Sequence, residues 1–401
     1  MSHDAYGPVP IVIATALRAD GITGVHTHVR QLRRYLAEHG TPATLLTPYS
    51  WGNRLHVPVF GARLLLHRIS RPAGVAWYRY WHEAFLRQAL RRHLATAGPC
   101  VIYAQGPPEA RAALAARRGS HQRVVLAVHF RTSQADEWAD KHDIARGGAV
   151  FRAIRRTERR VLPRVDGLVY VSQWARRAVL GWLPEARTVP SAVIGNFVAP
   201  LDPEPEPAPQ ADLVTTGNLE VVKNHRYLLA VLAAAAQAGH KLTLDIYGEG
   251  PCRTELERQV RELGLEQQVR FRGFRTDLRE FLPGYRAYVH ASYSESSSLA
   301  IMEAMAAGLP VVAGDIGPLA ELVDEGVEGR FWPLDDPGRA AAVLLGLLES
   351  EPERATAGAA ARARFRRDFD ATVMGPRLVS FLVGVTPAVT SVSASVSASG
   401  R

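Results

Sequence analysis

The chain is poor in cysteine, with 2 in 401 residues, Cys100 and Cys252. Two cysteines in distant parts of the sequence suggest neither a disulfide scaffold nor a zinc site. Long apolar runs are missing as well. No stretch reaches the roughly 18 uninterrupted apolar residues that mark a membrane-spanning helix. No basic segment followed by an apolar run stands at the start, so a cytoplasmic protein without a signal peptide is expected. Helix-turn-helix, zinc-finger and aromatic RNA-binding signatures are lacking, which argues against a nucleic-acid partner. The Gly-x-Gly-x-x-Gly of a dinucleotide dehydrogenase does not follow the first apolar run, because Gly21 and Gly24 have another spacing and residues 17–20 intervene. A single Asp-x-Asp triplet, Asp368-Phe-Asp370, follows a run of arginines far from any expected strand end. It reads as a solvated helix end, and no metal is expected.

What is present is an apolar fraction of 47% and a charged fraction of 22%, with a net charge of +9. The length suits two domains and large cores. The positive balance suits an acidic partner such as a nucleotide or an anionic membrane, or simply a solvated basic surface. Residues 152–164 are its densest stretch, and they could touch lipid or phosphate or form an exposed helix face.

Short apolar runs alternate with helical patterns along the whole chain. Strands are expected at 11–17, 43–47, 100–104, 124–129 and 167–171, and again at 213–216, 242–247, 269–272, 287–290 and 311–313. Such alternation implies parallel sheets covered on both faces. Val25, Val29, Leu32 and Leu36 recur at helical spacing before Gly40, and residues 227–238 form a second apolar helix before Gly239. Between the two series, residues 199–211 hold five prolines in thirteen positions. That composition makes a semi-rigid linker. The expected organisation is α/β, with one Rossmann-like domain over 1–198, a linker over 199–210 and a second Rossmann-like domain over 211–370. A C-terminal helix over 371–385 and a disordered tail over 386–401 follow. Ligands in doubly wound folds bind at the carboxyl ends of the strands, here in the cleft between the domains.

The chemistry concentrates in residues 294–308, after the strand expected at 287–290. Ser296, Ser297 and Ser298 offer helix caps and Gly308 a stop. Apart from Glu303, the helix between them is apolar on every side and therefore buried. A carboxylate there demands a partner. The N–H groups of Ser297, Ser298 and Leu299 at the helix start form a phosphate site. Glu303 lies about five residues in, some 7–8 Å along the axis at the usual helical rise, where ribose hydroxyls would fall. Glu295 precedes the helix and is placed to touch whatever hangs from the outer phosphate. Upstream, Gly217 ends a strand and Lys223 leads into a helix, within reach of a diphosphate. Gly248 lies in a tight turn, Gly248-Glu-Gly-Pro251, at another strand end.

Together these segments resemble the retaining nucleotide-sugar glycosyltransferases of family 4 (glycosyl transferases group 1), which adopt the GT-B fold of two Rossmann-like domains. Gly217 to Lys223-Asn224 resembles that family's diphosphate stretch, and Tyr247-Gly-Glu-Gly-Pro251 its glycine turn. The segment ending in Phe274 resembles the strand and loop that hold the base, and Glu295 with Glu303 its paired glutamates. In the first half, Gly21-Ile-Thr-Gly24 resembles the family's glycine loop. His129 resembles a histidine near the reacting sugar, and His26 and His28 are weaker alternatives. Val193-Ile-Gly-Asn196 resembles the last strand before the linker. One position departs: Asn218 stands where the family usually has an arginine, so a bidentate charged contact to phosphate is replaced by a neutral one.

The resemblance implies transfer of a hexose from a UDP- or GDP-linked donor to an acceptor hydroxyl, with retention and without a metal or other cofactor. It implies Lys223 at the diphosphate, Glu295 at the sugar and His129 beside the reacting centre. Gly24, Gly217, Asn218, Gly248, Phe274, Ser297, Ser298, Leu299 and Glu303 would complete the donor site. An epimerase, a phosphorylase and a non-catalytic nucleotide-sugar binder are the other readings. The aromatic stretch 76–82 is core or an acceptor wall. No long exposed apolar helix is evident, which favours a small soluble acceptor or a glycan over a lipid.

Overall fold

The computed structural model describes residues 9–385 apart from 22, 51, 53, 202–209 and 276. Most of the proline-rich linker and the tail after 385 thus lie outside the described residues. The first half runs β1 (Ile11–Ala14), α1 (Gly24–Glu38), β2 (Ala43–Leu46), α2 (His56–Ile69), α3 (Arg71–Leu94), β3 (Cys100–Ala104) and α4 (Pro107–Ala116). It continues with β4 (Gln122–Val128), α5 (Gln134–Asp140), α6 (Ala149–Val161), β5 (Gly167–Tyr170), α7 (Gln173–Trp182) and β6 (Ser191–Val193). The second half has β7 (Leu213–Thr216), α8 (His225–Gln237), β8 (Leu244–Tyr247), α9 (Arg253–Glu262), β9 (Val269–Gly273), β10 (Ala287–His290) and α10 (Leu299–Ala306). It ends with β11 (Val311–Gly314), β12 (Gly329–Trp332), α11 (Pro337–Glu349), α12 (Glu351–Asp368) and α13 (Ala371–Gly384).

Each half is one parallel, six-stranded, doubly wound sheet. The orders are β2-β1-β3-β4-β5-β6 and β12-β11-β10-β7-β8-β9. Every residue of β3, β5, β8, β10 and β11 is buried. That is why these strands read as unbroken apolar runs. Each sheet carries one strand more than those runs announce. The additions, β6 and β12, sit on the sheet edges. An edge strand packs on one neighbour only, so β6 is half-buried throughout and β12 tolerates the half-buried Arg330. Three expected bounds shift by two residues or more: β1 ends at Ala14 rather than at 17, β4 starts at Gln122 rather than at 124, and β8 starts at Leu244 rather than at 242.

The last helix crosses back to the first sheet. Met374, Leu378 and Leu382 of α13 share a core with Ile11, Leu32, Val101 and Phe197. The turn into α13 corrects the reading of Asp368-Phe-Asp370 as a solvated helix end. Asp370 is 5% exposed. Its Oδ1 accepts the Thr372 N–H at 2.8 Å, capping the new helix. Asp368 is held by Arg364 at 2.6 Å.

The aromatic stretch 76–82 lies on α3, with His82 buried, Trp77, Tyr78 and Trp81 half-buried and Tyr80 exposed. His82 is buried, bonded to the Tyr49 hydroxyl at 3.0 Å and to the Tyr78 carbonyl at 2.8 Å. The Trp77 indole donates to the Val59 carbonyl at 2.8 Å and so pins α2 on α3. α2 itself runs against expectation: none of its 14 residues is buried, and several are large and apolar.

Besides the packing of α13 on the first sheet, three polar contacts between the halves stand out among the described residues. Glu321 accepts the N–H groups of Gln173 and Trp174 at 2.7 and 2.5 Å, capping α7 from the opposite half. Lys141 meets Glu220 at 3.3 Å. The third contact lies in the cleft, at the loop that carries Glu295.

Candidate donor site

In the second sheet β7 and β10 are neighbours, and the chain winds outward in opposite directions from them. Loops leaving the carboxyl ends of two such strands diverge and open a crevice. The loop after β7 carries Gly217, Asn218 and Lys223, and the loop after β10 carries Glu295 to Ser298.

These loops are joined by charge. Lys223 Nζ donates to Glu295 Oε1 at 2.6 Å, and His290 Nε2, at the end of β10, lies 3.1 Å from the same oxygen. Burial would raise the Glu295 carboxyl, but the Lys223 ammonium and the His290 bond outweigh it and hold it at about 2. Glu295 is therefore ionised although only 9% exposed. Its shift sets a pH test. The ion pair contributes stability above the ordinary carboxyl value of 4.5, and that stability is lost as pH falls toward about 2. In acid titrations followed by circular dichroism, Glu295→Gln should lack this component of the wild-type loss. An identical acid limb in the two proteins contradicts the pairing.

The glycine turn is a packing device. Gly217 and Gly248 have φ of 149° and 142°. A Cβ on Gly248 would fall 1.9 Å from the Gly217 carbonyl oxygen. Gly217 N–H bonds the Tyr247 carbonyl at 2.9 Å, and Gly248 N–H bonds the Gly273 carbonyl at 2.9 Å. The loops after β7, β8 and β9 are thus laced edge to edge, and Phe274 follows the third of them, 48% exposed.

On the other loop, Ser298 caps α10, its hydroxyl accepting the Ile301 N–H at 3.4 Å. The first N–H groups of a helix have no acceptor within it; in α10 these begin at the cap Ser298 and Leu299, with Ser297 one residue before the cap. Four buried polar atoms of these two loops, Asn224 Nδ2, His225 Nδ1, Ser292 Oγ and Ser297 Oγ, have no hydrogen-bond partner among the described residues. Unpaired buried polar atoms are uncommon, and these four are free to bond a group that enters the crevice.

Glu303 lies one turn further along α10, half-buried. Enclosure raises its carboxyl, and Arg279 and Arg30 oppose that rise. No ion pair to it closes among the described residues. Arg30 comes from α1, in the first half, and also bonds the Gly21 carbonyl at 3.2 Å. A cavity of about 670 Å³ is lined by Arg30, Arg33 and Arg34 on one side and Phe274 on the other. Gly24, at the start of α1, faces Leu299 at the start of α10, with a Cβ there 4.0 Å from the leucine. Two helix N-termini thus meet across the cleft.

His129 follows β4. Its carbonyl accepts the Ser296 hydroxyl at 2.5 Å, from the loop of Glu295. Its ring is held by the Gln105 side chain at 2.9 Å and packs edge-on against His28 at 4.9 Å. Burial, with the His28 ring beside it, pushes the imidazole well below its ordinary value. His28 is buried too, lowered by burial to about 4. Of the groups on His129, the carbonyl is the one turned to the Glu295 loop.

The family models match both halves: "Glycosyl transferase 4-like domain" over residues 23–196 and "Glycosyl transferases group 1" over residues 210–350. The chain belongs to the group 1 glycosyltransferases. Its fold agrees with that assignment. This group 1 glycosyltransferase has a TM-score of 0.70 to sucrose-phosphate synthase from Thermosynechococcus elongatus, at 17% identity, covering 94% of this chain and 99% of that one. To Anabaena HepE in complex with UDP and glucose the TM-score is 0.66, at 19% identity, covering 94% and 100%. The phosphatidyl-myo-inositol mannosyltransferase of Mycolicibacterium smegmatis is 26% identical over 364 residues, 89% of each chain. The GtfA subunit of the Streptococcus gordonii UDP-N-acetylglucosamine–peptide N-acetylglucosaminyltransferase is 31% identical over 152 residues, 38% of this chain and 29% of that protein. The glycosyltransferase thus spans less than a third of that relative's length.

Two members of the site escaped sequence reading. His290 ends an apolar strand five residues before Glu295, and a polar residue closing such a run is the signal that marks it. Arg30 stands on the exposed face of an amphipathic helix, and nothing in the sequence links it to Glu303.

Proposed function

We propose that this chain transfers a hexose from a UDP- or GDP-linked donor to an acceptor hydroxyl, with retention of configuration and without a metal. The observation that carries this reading is the Lys223–Glu295–His290 cluster beside the start of α10, facing the His129 carbonyl. The diphosphate rests between Gly217, Asn218 and the N–H groups of Ser297, Ser298 and Leu299. Lys223 leaves Glu295 for the outer phosphate, and Glu295 takes the sugar hydroxyls in exchange. Glu303 takes the ribose hydroxyls, and Phe274 lies beside the base.

The bond between C1 and the phosphate oxygen breaks with its electron pair going to the diphosphate. The acceptor oxygen bonds to C1 on the same face and passes its proton to that departing oxygen. Positive charge on the sugar is met by the His129 carbonyl, and negative charge on the diphosphate by Lys223 and the helix dipole. A relative named for GDP-mannose and a neighbour holding UDP and glucose support both donor classes. Where the family arginine would stand, Asn218 leaves the charge of Lys223 as the main cation of the loop.

Incubation with labelled UDP- and GDP-hexoses, with and without acceptors, tests the reading. Acceptor-dependent transfer is expected, whereas acceptor-free epimerisation or binding without turnover overturns it. Glu303→Ala should raise the dissociation constant of the bound nucleoside diphosphate about 10- to 100-fold, the range for hydrogen bonds to a charged group. Titration calorimetry reads this directly, and an unchanged affinity removes Glu303 from the ribose.

A further inference from the structure

We propose that α2 docks this protein onto an anionic lipid surface. Val57 is 82% exposed, Leu64 69%, Leu65 65% and Ile69 84%. At 3.6 residues per turn, positions 57, 64, 65, 68 and 69 share one side of the helix. The opposite side is anchored. The Trp77 indole holds the Val59 carbonyl, Phe60 packs on His82 and Phe85, and Arg63 covers the Tyr78 ring at 4.4 Å. The outward leucines are therefore fixed in place by the packing behind them, and Tyr80 of α3 adds a further exposed ring at 61%.

Charge selects the occupant. Between Glu38 and Glu83 the sequence has no acidic residue. Arg54, Arg68 and Arg71 stand exposed around the apolar stripe. One carboxylate, Asp143, approaches the helix, 3.8 Å from His67. A second copy packed face to face would set these arginines near their own copies with no acid to pair them. A bilayer interface accepts both features, taking the apolar side into the acyl boundary and the arginines at the headgroups. The basic stretch 152–164 is a poorer candidate. Arg152, Arg156, Arg159 and Arg160 of α6 point outward without a large apolar residue among them, and Arg155 is tied to Asp136 at 3.0 Å.

Sedimentation of the full chain with vesicles decides the matter. The protein should pellet with phosphatidylcholine vesicles containing phosphatidylglycerol, more weakly as salt rises, and not with phosphatidylcholine alone. Leu64→Glu combined with Leu65→Glu should weaken this binding about tenfold or more at an unchanged melting temperature. Arg68→Glu should weaken it on the anionic vesicles. Should the double variant unfold, Leu64→Trp keeps the site apolar, and its added fluorescence should shift to the blue only with anionic vesicles. Four results overturn the proposal: no pelleting of the wild type, equal pelleting on neutral vesicles, equal pelleting by the folded double variant, or a wild-type dimer that the double variant dissociates. An absent blue shift does the same.

Discussion

Glu295→Ala lowers turnover about 100- to 1000-fold, the range for a positioned polar group that acts at the reacting centre, while nucleoside diphosphate still binds. The reasoning rests on what the carboxylate holds. It is ionised, nearly enclosed, and bonded to Lys223 at 2.6 Å and His290 at 3.1 Å. Removing it takes away the group proposed to orient the sugar and leaves Lys223 and the buried His290 without their shared partner. Glu303 and the start of α10 stay in place, so the contacts proposed for the nucleotide are kept. Initial rates with labelled donor, set beside calorimetric binding of the nucleoside diphosphate, separate the two effects. Intact turnover with lost nucleotide binding would reverse the roles of the two glutamates. Because Lys223 and Glu295 touch, Lys223→Ala and the double variant should be strongly non-additive, by about 0.5–3 kcal/mol. Additive losses would mean that the pair does not work as a unit.

Gly248→Ala should cost the fold about 3 kcal/mol or more, combining an unfavourable backbone conformation with a collision that the core cannot absorb. The collision is with backbone: the new Cβ would stand 1.9 Å from the Gly217 carbonyl oxygen. Relief requires moving the loop that also carries Asn218 and Lys223, so donor affinity should fall together with stability. Gly264 supplies the control. Its φ is 65°, and an added Cβ there meets nothing within 4 Å. Gly264→Ala should therefore cost only about 1 kcal/mol. Denaturant midpoints of the two variants test the difference, and equal losses would show that backbone conformation, not the collision, makes Gly248 necessary.

Much of this was legible beforehand because the relevant signals are local. A strand buried on both faces must be apolar along its length, so the inner strands of both sheets announce themselves as runs. The edge strand β12 does not, since it needs fewer apolar residues. The helix α10 is apolar on every side except at Glu303, and that contrast identifies the residue with no knowledge of its neighbours. Asp370 was misread for the opposite reason. Beside a run of arginines it looked solvated, and only the return of α13 to the first sheet buries it. α2 was overlooked because its own pattern does not say which face is covered. Its inner side is hidden by α3, and nothing among the described residues covers the outer leucines.

The sequence by itself determined two doubly wound halves, a serine-capped helix start and two glutamates with seven residues between them, because each depends on composition within one or two turns of chain. The tertiary structure decided which groups meet. Lys223 reaches Glu295 across 72 positions, and Ser296 reaches the His129 carbonyl across 167. Arg30 faces Glu303 from the other half. No local pattern encodes such contacts. They exist because parallel strands deliver their carboxyl ends to one side of each sheet, and because the two sheets present those sides to one another.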